Sequence, residues 1–246
     1  QIAPFAFTIL AATGNVRGED ATWPQWRGPT RDSVLPAQTW PDKLGAEWLK
    51  LAWRVTLGPS YSGPIVSEKS VFVTETKDKR QEVVRALDRA TGKEQWSASW
   101  GGALSVPFFA ASNGSWIRAT PAYDGERLYV AGMEDVLVCL NAASGSELWR
   151  VDFVKDHAAP LPAFGFVSSP LVTEDSVYVQ AGAAFFKLDK RTGKEIWRTL
   201  KDSGGMNGSA FSSPIVAKLG GTSQLVVQTR DKLAGIDEGS GIDLWS

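Results

Sequence analysis

The chain has 246 residues, and its 26 lysines and arginines against 27 aspartates and glutamates give a formal charge of −1 at pH 7. This balance argues against a nucleic-acid or membrane-surface binder, because both partners select a clustered basic excess. A single cysteine and a single histidine exclude an intramolecular disulfide, a cysteine-rich zinc site and a paired-histidine metal centre, while 11 tryptophans, 24 glycines and 13 prolines indicate an all-β chain with many tight turns.

The first segment is apolar. Residues 2–12 have about the length of a signal-peptide core, so we predict that residues 1–20 are a signal-like or disordered segment of an exported, periplasmic or cell-envelope protein. The stretch is too short for a transmembrane span, and a strand of the following domain is the alternative. Residues 21–47 are predicted to be a leader that packs on a domain formed by residues 48–246. The chain starts without methionine and stops inside a repeat, so we expect it to be part of a longer protein.

An eleven-residue pattern occurs four times from residue 86 onwards. In each copy an aspartate or asparagine is followed four positions later by glycine, and the glycine four positions later by tryptophan. The copies place these residues at Asp88, Gly92 and Trp96; at Asn141, Gly145 and Trp149; at Asp189, Gly193 and Trp197; and at Asp237, Gly241 and Trp245. The tryptophans are 53, 48 and 48 residues apart, a period that fits one four-stranded propeller blade per repeat.

The rest of each repeat supports four strands. A proline opens the first strand, and a hydrophobic triplet such as Val177-Tyr-Val179 marks the second. The sequence therefore predicts an all-β propeller of four-stranded antiparallel blades, about four in this chain, within a ring of seven or eight. The segment 51–55, with Trp53, resembles a last strand without its three predecessors and is expected to complete the final blade.

The repeated residues have a structural explanation. The aspartate or asparagine accepts a hydrogen bond from the backbone N–H two residues on, and the glycine supplies the positive φ that the turn requires. The acidic residue two positions after each glycine (Glu94, Glu147, Glu195, Asp243) is expected to point to solvent or to cap a neighbouring turn. The tryptophans are expected to pack between successive sheets. Regular repetition favours this interpretation over catalytic carboxylates.

Candidate binding residues lie in the connections between repeats. Residues 97–118, 150–167 and 198–211 vary in length and are rich in aromatic and amide side chains, which suggests a recognition surface on one face of the propeller. The candidate set comprises Tyr61, Trp116, Arg118, Asp156, His157, Phe164, Asn207 and Phe211. Arg118 is the choice for an anionic ligand or a partner carboxylate. The residues three positions before each strand-opening proline are expected to rim the central funnel, namely Tyr61, Arg118, Val167 and Phe211. The alternative is that these connections only pack on one another.

The pattern Ala-x-Asp-x-x-x-Gly-x-x-x-Trp, complete in residues 86–96, resembles the tryptophan-docking motif of pyrroloquinoline-quinone (PQQ)-type β-propellers, over about residues 48–246. The segment 23–32 resembles the leader of exported propeller proteins of this family. The resemblance implies a shared fold whose members have two different functions. Quinoprotein alcohol and glucose dehydrogenases bind the quinone and calcium in the central funnel, whereas the scaffold lipoprotein of the outer-membrane protein assembly machine binds neither.

The residues favour the scaffold. The alcohol dehydrogenases of the family carry an adjacent Cys-Cys disulfide over the quinone, and this chain has a single cysteine, Cys139. We therefore predict an exported scaffold that binds a protein or small ligand on its loop face, with no catalytic residue, metal or cofactor of its own. The alternatives are a truncated PQQ-dependent alcohol or sugar dehydrogenase, which would take PQQ and calcium, and a purely structural module of a larger cell-envelope protein. His157 beside Asp156 is either a general base or a solvated loop residue.

Overall fold

The computed structural model describes residues 22–34, 50–102, 104–206 and 211–246. The predicted signal-like segment 1–20 and the candidate residue Asn207 lie outside the described residues. Within the described ranges, no helix is both long and apolar enough to cross a membrane.

The described residues form four sheets of four strands, which we call blades 1 to 4. Blade 1 consists of β1 (Ile65–Val66), β2 (Ser70–Lys77), β3 (Gln81–Asp88) and β4 (Glu94–Gly101). Blade 2 consists of β5 (Ala122–Tyr123), β6 (Arg127–Gly132), β7 (Val136–Asn141) and β8 (Glu147–Asp152). Blade 3 consists of β9 (Leu171–Val172), β10 (Ser176–Ala181), β11 (Ala184–Asp189) and β12 (Glu195–Thr199). Blade 4 consists of β13 (Ile215–Leu219), β14 (Thr222–Gln228), β15 (Leu233–Ile236) and β16 (Asp243–Trp245).

Each blade is an antiparallel meander, because its strands pair in chain order. The all-β propeller architecture predicted from the sequence is therefore confirmed. A 3₁₀-helix (Phe108–Asn113) lies between blades 1 and 2, and a one-turn helix α1 (Phe153–Asp156) follows β8.

The hydrophobic core lies between the blades. Three clusters of buried side chains each draw on two consecutive sheets, for example Tyr129 and Leu137 of blade 2 with Val177 and Phe186 of blade 3. Strands β6 and β7 are buried along nearly their whole length, since a neighbouring sheet covers each of their faces. These middle strands consequently read as continuous apolar runs instead of alternating ones.

The tight turn that ends the third strand has the same geometry in all four blades. Gly92, Gly145, Gly193 and Gly241 have φ between 70° and 75°. In blades 2 and 3, Oδ1 of Asn141 or Asp189 accepts the backbone N–H two residues on, as expected. In every blade Oδ1 also accepts the N–H and the hydroxyl of a threonine or serine three residues on, which adds two hydrogen bonds to the predicted turn.

A tryptophan from each blade lies over the turn of the next blade. The indole N–H of Trp96, Trp149 and Trp197 donates to the carbonyl of Ala142, Lys190 and Glu238, each directly after the turn aspartate or asparagine. The glycine is needed there, because a Cβ on Gly193 would lie 2.7 Å from the ring of Trp149. The rings are half-buried, and Trp245 instead donates to Gln224 of its own blade.

Trp53 occupies the equivalent place on blade 1. Its indole donates to the carbonyl of Arg89 at 2.8 Å, and its ring covers Gly92. The expected strand over residues 51–55 is absent from the described structure. A strand requires a hydrogen-bonded neighbour, and no described residue pairs with this segment.

Candidate functional site

The meander gives the propeller two unlike faces. The turn between the second and third strands and the connection to the next blade share one end of each blade, which we call the loop face. The tight turns lie at the other end, which we call the turn face. The candidate residues of the connections therefore belong to the loop face.

Four phenylalanines from three successive blade connections form a continuous row on the loop face. Phe108 and Phe109 are 5.7 Å apart, Phe109 and Phe164 6.2 Å, and Phe164 and Phe211 5.5 Å, measured between ring centroids. Phe108 is 91% exposed, Phe109 57% and Phe211 64%. We call these four residues the aromatic row. Each contact is edge-on, an arrangement that ring quadrupoles favour.

Prolines and glycines in the connections fix the backbone that carries the phenylalanines of the aromatic row. Pro107 precedes the 3₁₀-helix that carries Phe108 and Phe109 at its start. Gly165, with φ of 75°, follows Phe164. It packs so closely on Met133 that a Cβ at position 165 would lie 2.6 Å from the methionine sulfur. The position of Phe164 therefore depends on the turn of blade 2 that contains Met133.

Tyr61 and Arg118 form a second pair from the candidate set. The guanidinium carbon of Arg118 lies 5.1 Å from the centroid of the Tyr61 ring, within cation–π range. Arg118 Nη2 donates to the carbonyl of Gly114 at 3.2 Å, and partial burial lowers the pKa of the guanidinium. Trp116 lines a groove beside Gly114. Arg118 remains cationic at neutral pH and is half-buried.

The structure does not pair Asp156 with His157. The carboxylate of Asp156 accepts the backbone N–H of Asp152 at 2.8 Å. His157 Nδ1 lies 3.4 Å from Glu195 Oε2, and its ring packs on Phe153 and Phe186, with centroids 5.6 and 4.8 Å away. Asp156 thus bonds within its own blade, whereas His157 serves the packing of blade 2 against blade 3 and is not a solvated loop residue.

The turn-face acids also have structural partners. Glu94 pairs with Arg85, Glu147 with Arg150, and Asp243 with Lys232. Glu195, beside His157, pairs with Arg198. Phe108 and Phe109 lie in the connection 97–118, which the sequence assigns to the recognition surface, although the narrower candidate set omits them.

The first strands of the blades are joined by a belt of hydrogen bonds. The N–H of Gly63 donates to Thr120 Oγ1, that of Thr120 to Ser169 Oγ, and that of Ser169 to Ser213 Oγ, over 2.9–3.1 Å. Each of these residues precedes the proline that opens a first strand. The Thr/Ser-Pro pairs therefore set the spacing of the blades around the axis.

The leader lies against these first strands. Trp23 forms an antiparallel bridge with Val66, and Tyr123 N–H donates to the carbonyl of Pro24. Arg31, only 3% exposed, donates to the carbonyls of Ser169 and Pro170. Burial lowers the pKa of Arg31 to about 9. The leader thus contacts blades 1, 2 and 3.

Two buried carboxylates stand between successive blades on the loop face. Glu82, on β3, accepts the N–H of Met133 at 2.6 Å and the indole N–H of Trp100 at 2.8 Å. Asp135 accepts the N–H of Gly182 at 2.8 Å. Burial raises the pKa of each carboxyl to about 7. Among the described residues, no group of three or more His, Cys, Asp or Glu side chains is arranged to hold a metal ion.

Comparison with known proteins gives one family and several partial relatives. The family model described as outer membrane protein assembly factor BamB matches residues 80–246. The serine/threonine-protein kinase AfsK of Streptomyces griseus is 33% identical over 157 residues, which cover 61% of this chain and 18% of the kinase. An uncharacterised protein of Rickettsia conorii is 31% identical over 118 residues, covering 44% of this chain and 27% of that protein. The chain thus spans less than a third of either curated relative.

Similar solved structures are also partial matches. BamB from Moraxella catarrhalis is 17% identical with a TM-score of 0.48, covering 72% of this chain and 45% of that one. A europium-containing methanol dehydrogenase is 20% identical with a TM-score of 0.44, covering 61% and 27%.

Proposed function

Since this chain belongs to the family of the outer membrane protein assembly factor BamB, we propose that it is a non-catalytic propeller scaffold that binds a protein partner on its loop face. The proposal includes export to the periplasm or cell envelope, in keeping with the apolar segment at residues 2–12. The resemblance to quinoprotein dehydrogenases stands as the competing proposal, with PQQ and calcium as its cofactors.

The aromatic row is the observation that carries the scaffold function. Three of its four rings are more than half exposed, yet each touches the next in an unbroken line. Contiguous apolar surface on a soluble protein is typical of an interaction site, and aromatic side chains are enriched at the centres of interfaces. A rigid frame of blades holds the loops that carry the row, which limits the entropy lost on binding.

Arg118 adds a charge to the same face. Its guanidinium rests on the Tyr61 ring and keeps part of its surface exposed. A guanidinium held in this way can form a two-pronged pair with a partner carboxylate. A partner segment that combines apolar side chains with an acidic residue fits this surface best.

Site-specific cross-linking tests the proposal. A photoreactive amino acid at position 108 or 211 should capture a discrete protein from envelope extracts, and the same label at the exposed positions 148 or 196 on the outer strands should not. The captured partner should then bind Phe108→Ser and Phe211→Ser at least roughly tenfold more weakly than the parent. The matched variants Leu148→Ser and Ile196→Ser should bind like the parent.

Two outcomes would overturn the scaffold function. One is equal capture from the row and from the outer strands. The other is a quinone absorbance that appears on titration with PQQ and calcium, together with dye-linked oxidation of an alcohol or sugar.

A further inference from the structure

The two buried carboxylates of the loop face hold equivalent parts of successive blades. The second and third strands of each blade are joined by a short turn at this face. Glu82, at the start of β3 in blade 1, accepts the N–H of Met133 in that turn of blade 2. Asp135 lies in the turn of blade 2 and accepts the N–H of Gly182 in the turn of blade 3. One carboxylate therefore ties each turn to the next.

Both carboxylates are enclosed. Glu82 has no solvent exposure, and Asp135 has 1%. Gly102 packs so tightly on Glu82 that a Cβ there would lie 2.6 Å from its carboxyl carbon. Trp100, 8% exposed, donates its indole N–H to Glu82 and covers it from β4. Ionisation of either group thus takes place without water around it, which costs free energy.

The tied turns support the aromatic row. Met133 lies directly under Gly165, the neighbour of Phe164. Asp135 lines a small cavity with Gly165 and Phe166 from the same connection, and Gly182 from blade 3. A conformational change in the turn of blade 2 or of blade 3 would therefore move the connection that contains Phe164. That connection places Phe164 between Phe109 and Phe211.

Neighbouring charged groups have opposing effects on the pKa of Glu82, whereas those around Asp135 all raise its pKa. Glu134 raises the pKa of Glu82 and Arg150 lowers it. Asp152 and Asp202 both raise the pKa of Asp135. Burial outweighs these charges in both cases, so both carboxyls hold their proton to higher pH than a solvated carboxyl.

We propose that Glu82 and Asp135 form a proton-controlled latch, which closes the turns of blades 1 to 3 when protonated and lets them open when ionised. The closed state binds the proton more tightly than an open, hydrated state does, so by linkage the closed state gains stability as pH falls. The closed state is most stable at the pH values where both states are protonated, loses stability as pH rises towards about 7, and loses no more above that pH. It regulates the docking face and in that respect rests on the proposed function.

Amide hydrogen exchange tests the latch without any partner. Protection factors, corrected for the intrinsic pH dependence of exchange, are measured at Met133 and Gly182 from pH 4 to 8.5. Both should fall by roughly tenfold for each pH unit between about 4.5 and 7 and stay level above 7, because only in this interval is the open state ionised while the closed state still holds its proton. Level protection across the whole range would overturn the proposal.

Single substitutions assign the effect to its groups. Glu82→Gln should abolish the slope at Met133 and keep it at Gly182, whereas Asp135→Asn should do the reverse. Either variant alone suffices if the other does not fold. Glu134→Gln removes an exposed carboxylate from the same turn and should keep both slopes. A slope at Met133 that survives Glu82→Gln would contradict the latch.

The two proposals fail separately. If no protein docks on the aromatic row, the exchange slopes still test the latch. If the slopes are level while cross-linking at positions 108 and 211 captures a partner, the latch fails and the docking function stands.

Discussion

The indole N–H of Trp149 donates a hydrogen bond to the main-chain carbonyl of Lys190, 3.1 Å away on the next blade. The hydroxyl of Tyr129 reaches the same carbonyl at 3.3 Å. Trp53, Trp96 and Trp197 make the equivalent indole contact with blades 1, 2 and 4. The repeated tryptophan therefore joins successive blades by a directed hydrogen bond as well as by apolar contact.

Trp149→Ala should lower the free energy of unfolding by about 2–4 kcal/mol, because it removes a half-buried ring and leaves the Lys190 carbonyl with one donor fewer. Trp149→Phe keeps most of the packing and should cost about 1–2 kcal/mol. Urea unfolding measures both. Trp245→Ala is the control, since Trp245 is 37% exposed and bonded within its own blade. Equal losses at positions 149 and 245 would contradict the inter-blade role.

Gly193→Ala should destabilise the protein through two separable effects. The residue has φ of 72°, which costs an alanine about 1 kcal/mol, and the new Cβ would meet the ring of Trp149 at 2.7 Å. Gly220 has φ of 57°, and a Cβ added there would meet nothing within 4 Å, so Gly220→Ala carries the backbone cost alone. The difference between the two unfolding free energies reports the clash, and a difference of zero would rule it out.

Arg31→Lys should loosen the leader. A lysine presents one nitrogen in place of the planar guanidinium, whose two terminal nitrogens each reach one of the carbonyls of Ser169 and Pro170, so we expect a loss of about 1.5–3 kcal/mol. Exchange at the Val66 amide, which donates to the Trp23 carbonyl, should quicken as well. Arg27→Lys changes an exposed arginine of the same leader and should have little effect. Unchanged exchange at Val66 in Arg31→Lys would show that the guanidinium does not anchor the leader.

Stability should be greatest in mildly acidic solution. The pKa of Glu82 is raised from 4.5 to about 7, so its contribution is fully present below 4.5 and lost as pH rises through 7, a change of ~3 kcal/mol. The turn aspartates Asp88, Asp189 and Asp237 have lowered pKa values, so their contribution is present above 3.8 and lost at lower pH. Melting temperatures from pH 3 to 9 should therefore peak between about 4 and 5 and fall towards pH 7. Glu82→Gln should flatten the alkaline arm, and an unaltered arm would contradict the assignment.

The sequence predicted the repeat and its turns because these depend on near neighbours. The four-residue spacings around Gly193 set a positive φ, a side-chain acceptor and a tryptophan without reference to the rest of the chain. The β-bulge of each blade was not predictable in this way. In blade 2, Cys139 pairs with Trp149 and Leu140 with Glu147, so Leu148 is the extra residue. Bulges of this kind re-aim side chains, and that at Leu148 precedes the inter-blade tryptophan.

The candidate site was predicted only in outline. The sequence correctly placed Phe164 and Phe211 in loops of one face. It suggested that His157 acts beside its neighbour Asp156, whereas in the structure the His157 ring lies next to Glu195 of another blade. Glu82 carried no signal at all, since an acidic residue in a strand reads as a solvent-facing position until the covering Trp100 and Gly102 are seen.

The sequence by itself determined the strand count of each repeat, its tight turns and the tryptophan period, because hydrogen bonds and backbone preferences within about ten residues decide them. Only the tertiary structure decided which blade connections contact one another and which ionisable side chains are buried away from solvent. Phe108, Phe164 and Phe211 come from separate connections, and only the packing of blade on blade brings their neighbourhoods into one row. Burial is likewise a property of the assembled sheets, since the desolvation of Glu82 comes from side chains of two blades closing around it.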